Sequence, residues 1–172
     1  MIKALLFVGL ILASGPSDDM FDTLKNAPTE QEAARAEADI IASWGDSGSG
    51  TIDLLLERAG IAEQAGDTAL ARALYDRIVL IAPDYAEGWY RRAALFAREE
   101  NFAEALRDMN EVLKIEPRHF GAWTGLGHLL ESLGSTKEAL AAYEAALDIH
   151  PNLAPAKQAV QRLSRTSDGS AL

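Results

Sequence analysis

Between residues 52 and 153 apolar side chains recur at spacings of three and four, in segments separated by short polar turns. "AWTGLGHLLESLG" followed by "STKEALAAYEAALDIHP" is the clearest pair. Such spacing places the apolar groups in one stripe on a helix, so each pair predicts a helical hairpin. Pro83, Pro117 and Pro151 stand 34 residues apart and close three versions of one helix ending, "RIVLIAP", "EVLKIEP" and "AALDIHP". Alignment on these prolines gives three units, 52–85, 86–119 and 120–153. Asp67, Asn101 and Ser135 stand at equivalent positions and are predicted to cap the second helix of each hairpin. Asn101 with Glu104 and Ser135 with Glu138 have capping-box spacing. One hairpin cannot bury its apolar side alone, so the three are expected to stack into a continuous core.

The flanks follow a weaker form of the pattern. "DDMFDTLKNAP" reads as a short helix and "TEQEAARAEADIIASW" as a longer one, opened by a capping box from Thr29 and Glu32 and carrying Ile40, Ile41 and Trp44 as an apolar patch. Residues 18–51 are therefore predicted as a degenerate hairpin covering the open face of the first unit, then a Gly/Ser linker. Ala156, Ala159, Val160 and Leu163 share one side of a predicted capping helix at 154–165, and residues 166–172 are predicted to be disordered.

Residue by residue, the units resemble the tetratricopeptide repeat (TPR) family. In the third unit Trp123, Leu126, Gly127, Leu130, Ala139, Tyr143, Ala146 and Pro151 fill the eight signature positions. The second matches with Trp89, Ala93, Phe96, Ala105 and Pro117, with Met109 and Val112 as apolar replacements. The first has Ala59, Ala71, Tyr75 and Pro83, with Leu55 where the tryptophan would stand. The resemblance implies an all-α, right-handed α-solenoid of three hairpins with an N-terminal helical cap and a C-terminal capping helix.

It also implies a concave face that binds an extended peptide or a partner helix. On that face it places Asp53, Leu56, Gly60 and Glu63 in the first unit, and Glu87, Tyr90, Ala94, Ala97 and Arg98 in the second. Gly121, Thr124, His128 and Glu131 follow in the third. Lysine and asparagine are missing from these positions, so clamping of a C-terminal carboxylate is not expected, and a peptide with apolar anchors and some positive charge fits better. Trp89, Trp123, Gly127, Ala139, Tyr143 and the three prolines are read as structural. Arg92 stands where the third unit has Leu126, and many repeats of the family pair such an arginine with an acid at the position of Asp108. A structural Arg92–Asp108 pair is the expectation. Arg58 faces Leu74 instead, leaving Asp76 as a candidate partner.

Composition narrows the partners. A formal charge of −10 repels nucleic acid and anionic lipid surfaces alike. There is no cysteine, which excludes disulfides and a thiolate nucleophile or metal site. "MIKALLFVGLILASG", with Lys3 before a ten-residue apolar run, has the layout of a secretory signal peptide over residues 1–17. A periplasmic protein is the expectation, with an uncleaved N-terminal anchor as the alternative.

Chemistry finds little support. "GDSGSG" around Ser47 approaches a serine-protease motif, but its second glycine is Ser49 and no base is placed to serve it, so a hydrolase is a remote alternative and a turn whose Ser49 or Thr51 caps the next helix is the reading. His128 and Glu131 form at most half a metal site. No phosphate-cradling glycine loop is present, and neither an enzyme nor a cofactor is predicted. The sequence thus points to a protein-binding adaptor, with self-association into a homo-oligomer as the alternative.

Overall fold

The polar breaks in the sequence become the turns of the molecule. A computed structural model describes residues 15–169; most of the predicted signal peptide and residues 170–172 lie outside the described residues. Among the described residues there are nine helices and no strand. They are α1 (Asp18–Lys25), α2 (Glu30–Gly45), α3 (Gly50–Gln64), α4 (Thr68–Ile81), α5 (Ala86–Arg98), α6 (Phe102–Ile115), α7 (Phe120–Ser132), α8 (Thr136–Ile149) and α9 (Ala154–Gly169). None is long and apolar enough to cross a membrane.

The hairpins α3–α4, α5–α6 and α7–α8 stack in order, and α9 closes the far end on α8. Close approach within a hairpin depends on small residues. A Cβ added at Gly127 would lie 2.6 Å from the Tyr143 ring, and Ala139 beside it is fully buried. The indoles of Trp89 and Trp123 donate to the carbonyls of Pro83 and Pro117 at 2.9 and 2.8 Å, tying each first helix to the turn before it. Arg92 forks onto Asp108, with Nε to Oδ2 at 2.7 Å and Nη2 to Oδ1 at 2.9 Å. Its third bond, at 2.8 Å, goes to Asp76, the acid offered by sequence to Arg58.

Three expectations are corrected. Of the predicted caps, Asp67 accepts from the Leu70 amide at 3.0 Å, whereas Asn101 and Ser135 make no side-chain cap; the Asn101 amide turns to Glu99 instead, at 3.1 Å. Ser49 likewise makes no side-chain cap on α3. The last helix continues to Gly169, so residues 166–169, expected to be disordered, are helical.

The largest difference concerns α1–α2. This hairpin does not cover the open face of the first repeat. It lies along the rim formed by the turns between repeats, where Phe21, Leu24, Ala36, Ile40 and Trp44 join one core with Phe120, Tyr143 and Leu153. Trp44 stacks on His119 with centroids 4.0 Å apart and planes at 10°, and the Tyr85 hydroxyl reaches the Gly45 carbonyl at 3.0 Å. Glu37 approaches His150 at 3.3 Å, and Arg118 stands 4.1 Å over the Phe21 ring. Tyr85, His119 and Leu153 are spaced by the repeat period, so α2 reads one periodic edge of the solenoid with its own apolar stripe.

Candidate functional site

The first helices of the repeats, α3, α5 and α7, leave two open hollows along one face. The hollow between α5 and α7, about 390 Å³, is walled by Tyr90, Ala94, Ala97, Met109, His128 and Leu129. Small side chains at 94, 97 and 125 open it, and the Met109 thioether packs against Gly125 to form its floor. The hollow between α3 and α5, about 430 Å³, is more acidic, with Asp53 and Glu57 beside Leu56, Gly60 and Arg91.

The predicted groove residues divide. Leu56, Gly60, Tyr90, Ala94, Ala97, Arg98 and His128 line these hollows. Tyr90 leans on His119 at 4.6 Å; burial first, and the Glu87 carboxylate second, push its hydroxyl above the ordinary phenol pKa. Gly121 lies beneath the Tyr90 hydroxyl, and Thr124 spends its own hydroxyl on the Phe120 carbonyl at 2.8 Å. Glu87, expected on the groove surface, is buried. The end of α2 lies over its turn, where Glu87 binds Arg91 at 2.5 Å and faces His119 at 3.6 Å.

Glu63 and Glu131 occupy equivalent positions and serve the same purpose. Glu63 accepts from the Tyr75 hydroxyl at 2.5 Å and pairs with Arg98. Glu131 accepts from the Tyr143 hydroxyl at 3.2 Å and pairs with Arg162 of α9. The Arg162 bonds hold the Glu131 carboxyl below its usual pKa. Each carboxylate therefore links its own hairpin to the next element. The sequence carried the signal, a glutamate and a tyrosine twelve residues apart in the first and third repeats, without the arginines that complete it.

His119 and His150, both buried, were not singled out by sequence. His119 Nδ1 accepts from the Ala122 amide at 3.0 Å and caps α7, so in the neutral ring the proton sits on Nε2, toward Glu87. His128 Nδ1 meets the Tyr143 hydroxyl at 2.9 Å, and among the described residues no cluster of histidines and carboxylates can hold a metal ion. Ser47 is buried in the turn before α3, its hydroxyl 2.5 Å from Asp53 Oδ1. That carboxylate also accepts from the Ser47 amide at 3.2 Å and so organises the turn, in which Gly48 takes a left-handed φ of +68°.

Comparisons with known proteins agree with this architecture. The family profile of the cilia and flagella-associated protein 70 middle TPR-like domain matches residues 55–167. A TPR repeat-containing protein of Rhizobium etli is 36% identical over 153 residues, covering 89% of this chain and 75% of that one. The small glutamine-rich tetratricopeptide repeat-containing protein 2 of Mycosarcoma maydis is 28% identical over 64% of this chain, and the match spans 32% of its own length. Among solved structures, the Sgt2 TPR domain from Aspergillus fumigatus superposes with a TM-score of 0.66 at 22% identity, over 72% of this chain and 83% of that one. The first TPR of Spaghetti, bound to an HSP90 peptide, gives 0.65 at 22% identity, over 68% and 93%. With a TPR-like family profile matching residues 55–167 and a TPR repeat-containing relative 36% identical over 89% of this chain's length, the chain belongs to the tetratricopeptide repeat family.

Proposed function

We propose that the protein is a non-enzymatic adaptor that binds a peptide or partner helix in the groove between α5 and α7, in the envelope of a bacterium. The observation that carries the groove assignment is its lining. An open hollow framed by Tyr90, Met109 and Leu129, with Ala94 and Ala97 leaving the space, offers apolar pockets to a bound chain. Solved neighbours that share the fold hold HSP90 and HSP70 peptides. The electrostatics here favour a different ligand. Arg91, Arg98 and Arg162 along the groove are already bound by Glu87, Glu63 and Glu131, while Asp53 and Glu57 add negative charge. An apolar segment flanked by lysine or arginine matches this surface.

Export rests on the signal-peptide layout of residues 1–17, and the bacterial setting on the similarity to the Rhizobium etli protein. A photo-crosslinking amino acid at Ala94, incorporated in living cells, tests both parts, with exposed Ala141 of α8 as control. Capture of one envelope protein from position 94 and not from 141 is the expected result. Equal capture from both positions rejects the groove, and capture of cytoplasmic proteins rejects the compartment.

A further inference from the structure

The first repeat is unlike the other two at its outer face. Leu54 and Ile61 are 48% and 58% exposed. The positions 34 and 68 residues on from Ile61 are Leu95 and Leu129, at 0% and 3%, because each packs against the hairpin before it. Gly88 and Ala122, the equivalents of Leu54, are buried in the same way. Among the described residues no hairpin precedes α3 in the stack, since α1–α2 lies on the rim instead, and its seam is open there. On α4, Leu70 and Leu80 are also exposed, where the other repeats carry Glu104 and Glu138, or Lys114 and Asp148. Of the eight large apolar residues exposed among the described residues, five belong to this hairpin.

The charges on α3 identify what covers it. Leu54 and Ile61, seven apart, define the middle of the exposed face, and Glu57 and Arg58 flank it on opposite sides. Both charged residues are exposed, and neither forms an ion pair among the described residues. A two-fold axis running along α3 places Leu54 against Leu54 of a second copy and Ile61 against Ile61. The same operation carries each Arg58 to the side of the other copy's Glu57, because a two-fold axis exchanges the two flanks. We propose that this face is a homodimer interface: two copies pair through parallel α3 helices, closed by two reciprocal Glu57–Arg58 ion pairs. Arg58, whose repeat-equivalent Arg92 binds Asp108 and Asp76 within the chain, thereby finds its acid in the second molecule. Glu57 and Ile61 also line the α3–α5 hollow, so this surface borders that hollow while lying apart from the α5–α7 groove, and the inference does not rest on a ligand bound there.

Charge exchange tests it. In sedimentation velocity at roughly 100 µM, above the micromolar dissociation constants of weak interfaces, the full chain is expected to be dimeric. Glu57→Arg and Arg58→Glu, each placing like charges together, are expected to weaken the dimer at least about tenfold, a like-charge penalty of at least ~1.4 kcal/mol. An equimolar mixture of the two variants restores complementary pairs and should re-form a dimer, as should the double exchange. Because the chain contains no cysteine, Leu54→Cys reports the register directly: oxidation should give a covalent dimer, whereas Leu133→Cys at another exposed site should not. A wild-type monomer, single variants that dimerise as wild type, or equal crosslinking at both cysteines overturns the proposal. So does crosslinking that places residues 1–14 of the same chain against Leu54.

Discussion

Replacing Arg92 with leucine removes the counter-charge from Asp108, whose side chain is 1% exposed. A carboxylate so deeply buried cannot recover its lost bonds from water, and breaking a buried pair in this way costs about 3–5 kcal/mol. The reciprocal change, Asp108→Ala, should be milder, about 1–3 kcal/mol, because the Arg92 side chain is 16% exposed and keeps Asp76 at 2.8 Å. The molecule already contains an uncharged version of this site. In the third repeat Leu126 and Ala142 stand at the two equivalent positions. The double variant Arg92→Leu/Asp108→Ala should therefore lie within about 1.5 kcal/mol of the parent, giving a coupling energy of at least ~2 kcal/mol. Urea unfolding of all four proteins at pH 7, followed by far-UV circular dichroism, measures it, and Arg92→Leu should lower Tm by about 6–20 °C for a chain of this size. If Arg92→Leu is no worse than Asp108→Ala, or if the single effects simply add, the account of a desolvated and mutually dependent pair is wrong.

Three other outcomes are expected. Glu100 has φ of +59°, while Gly66 and Gly134 hold the same left-handed position in the other repeats. Glu100→Gly should relieve part of a ~1–2 kcal/mol strain and raise Tm by about 1–3 °C in differential scanning calorimetry, and no increase refutes the strain. Burial pushes the hydroxyls of Tyr75, Tyr85, Tyr90 and Tyr143 above their ordinary value of 10.0, with Glu63, Glu87, Glu87 and Glu131 respectively adding to it. The folded state therefore holds phenol protons that the unfolded chain releases. Stability is fully present below pH 10 and is lost as pH rises beyond it, and phenolate absorbance with a normal midpoint in the folded protein contradicts this. Trp44→Ala removes the stack on His119 and the contact with Phe120 and should cost about 3–5 kcal/mol, enough to release α1–α2 from the rim. Trypsin should then cut at Lys25 or Arg35 while the repeats remain resistant, and unchanged digestion shows that the hairpin is held by something else.

The candidate site was partly legible. Leu56, Tyr90, Ala97 and His128 could be placed on the groove because a helix repeats its faces, and a 34-residue period carries each face to the next unit. Glu87 obeyed the same periodicity and was still misplaced. What buries it is the end of α2, which arrives from outside the repeat. The caps fail for a local reason: Asn101 and Ser135 have the right type and spacing, yet a side chain with more than one available bond chooses by geometry, and Asn101 chooses Glu99.

The sequence by itself determined the helices, their pairing into three hairpins and their order of stacking. Each of these depends on apolar stripes and small residues meeting a neighbour adjacent in the chain, and nearest-neighbour contact is what a repeat encodes. The tertiary structure alone decided where α1–α2 lies, which arginines neutralise Glu63 and Glu131, and that no other described residue covers Leu54 and Ile61. Those outcomes depend on contacts between segments distant in sequence, such as Trp44 with His119, where an apolar stripe specifies that a partner is needed without specifying which.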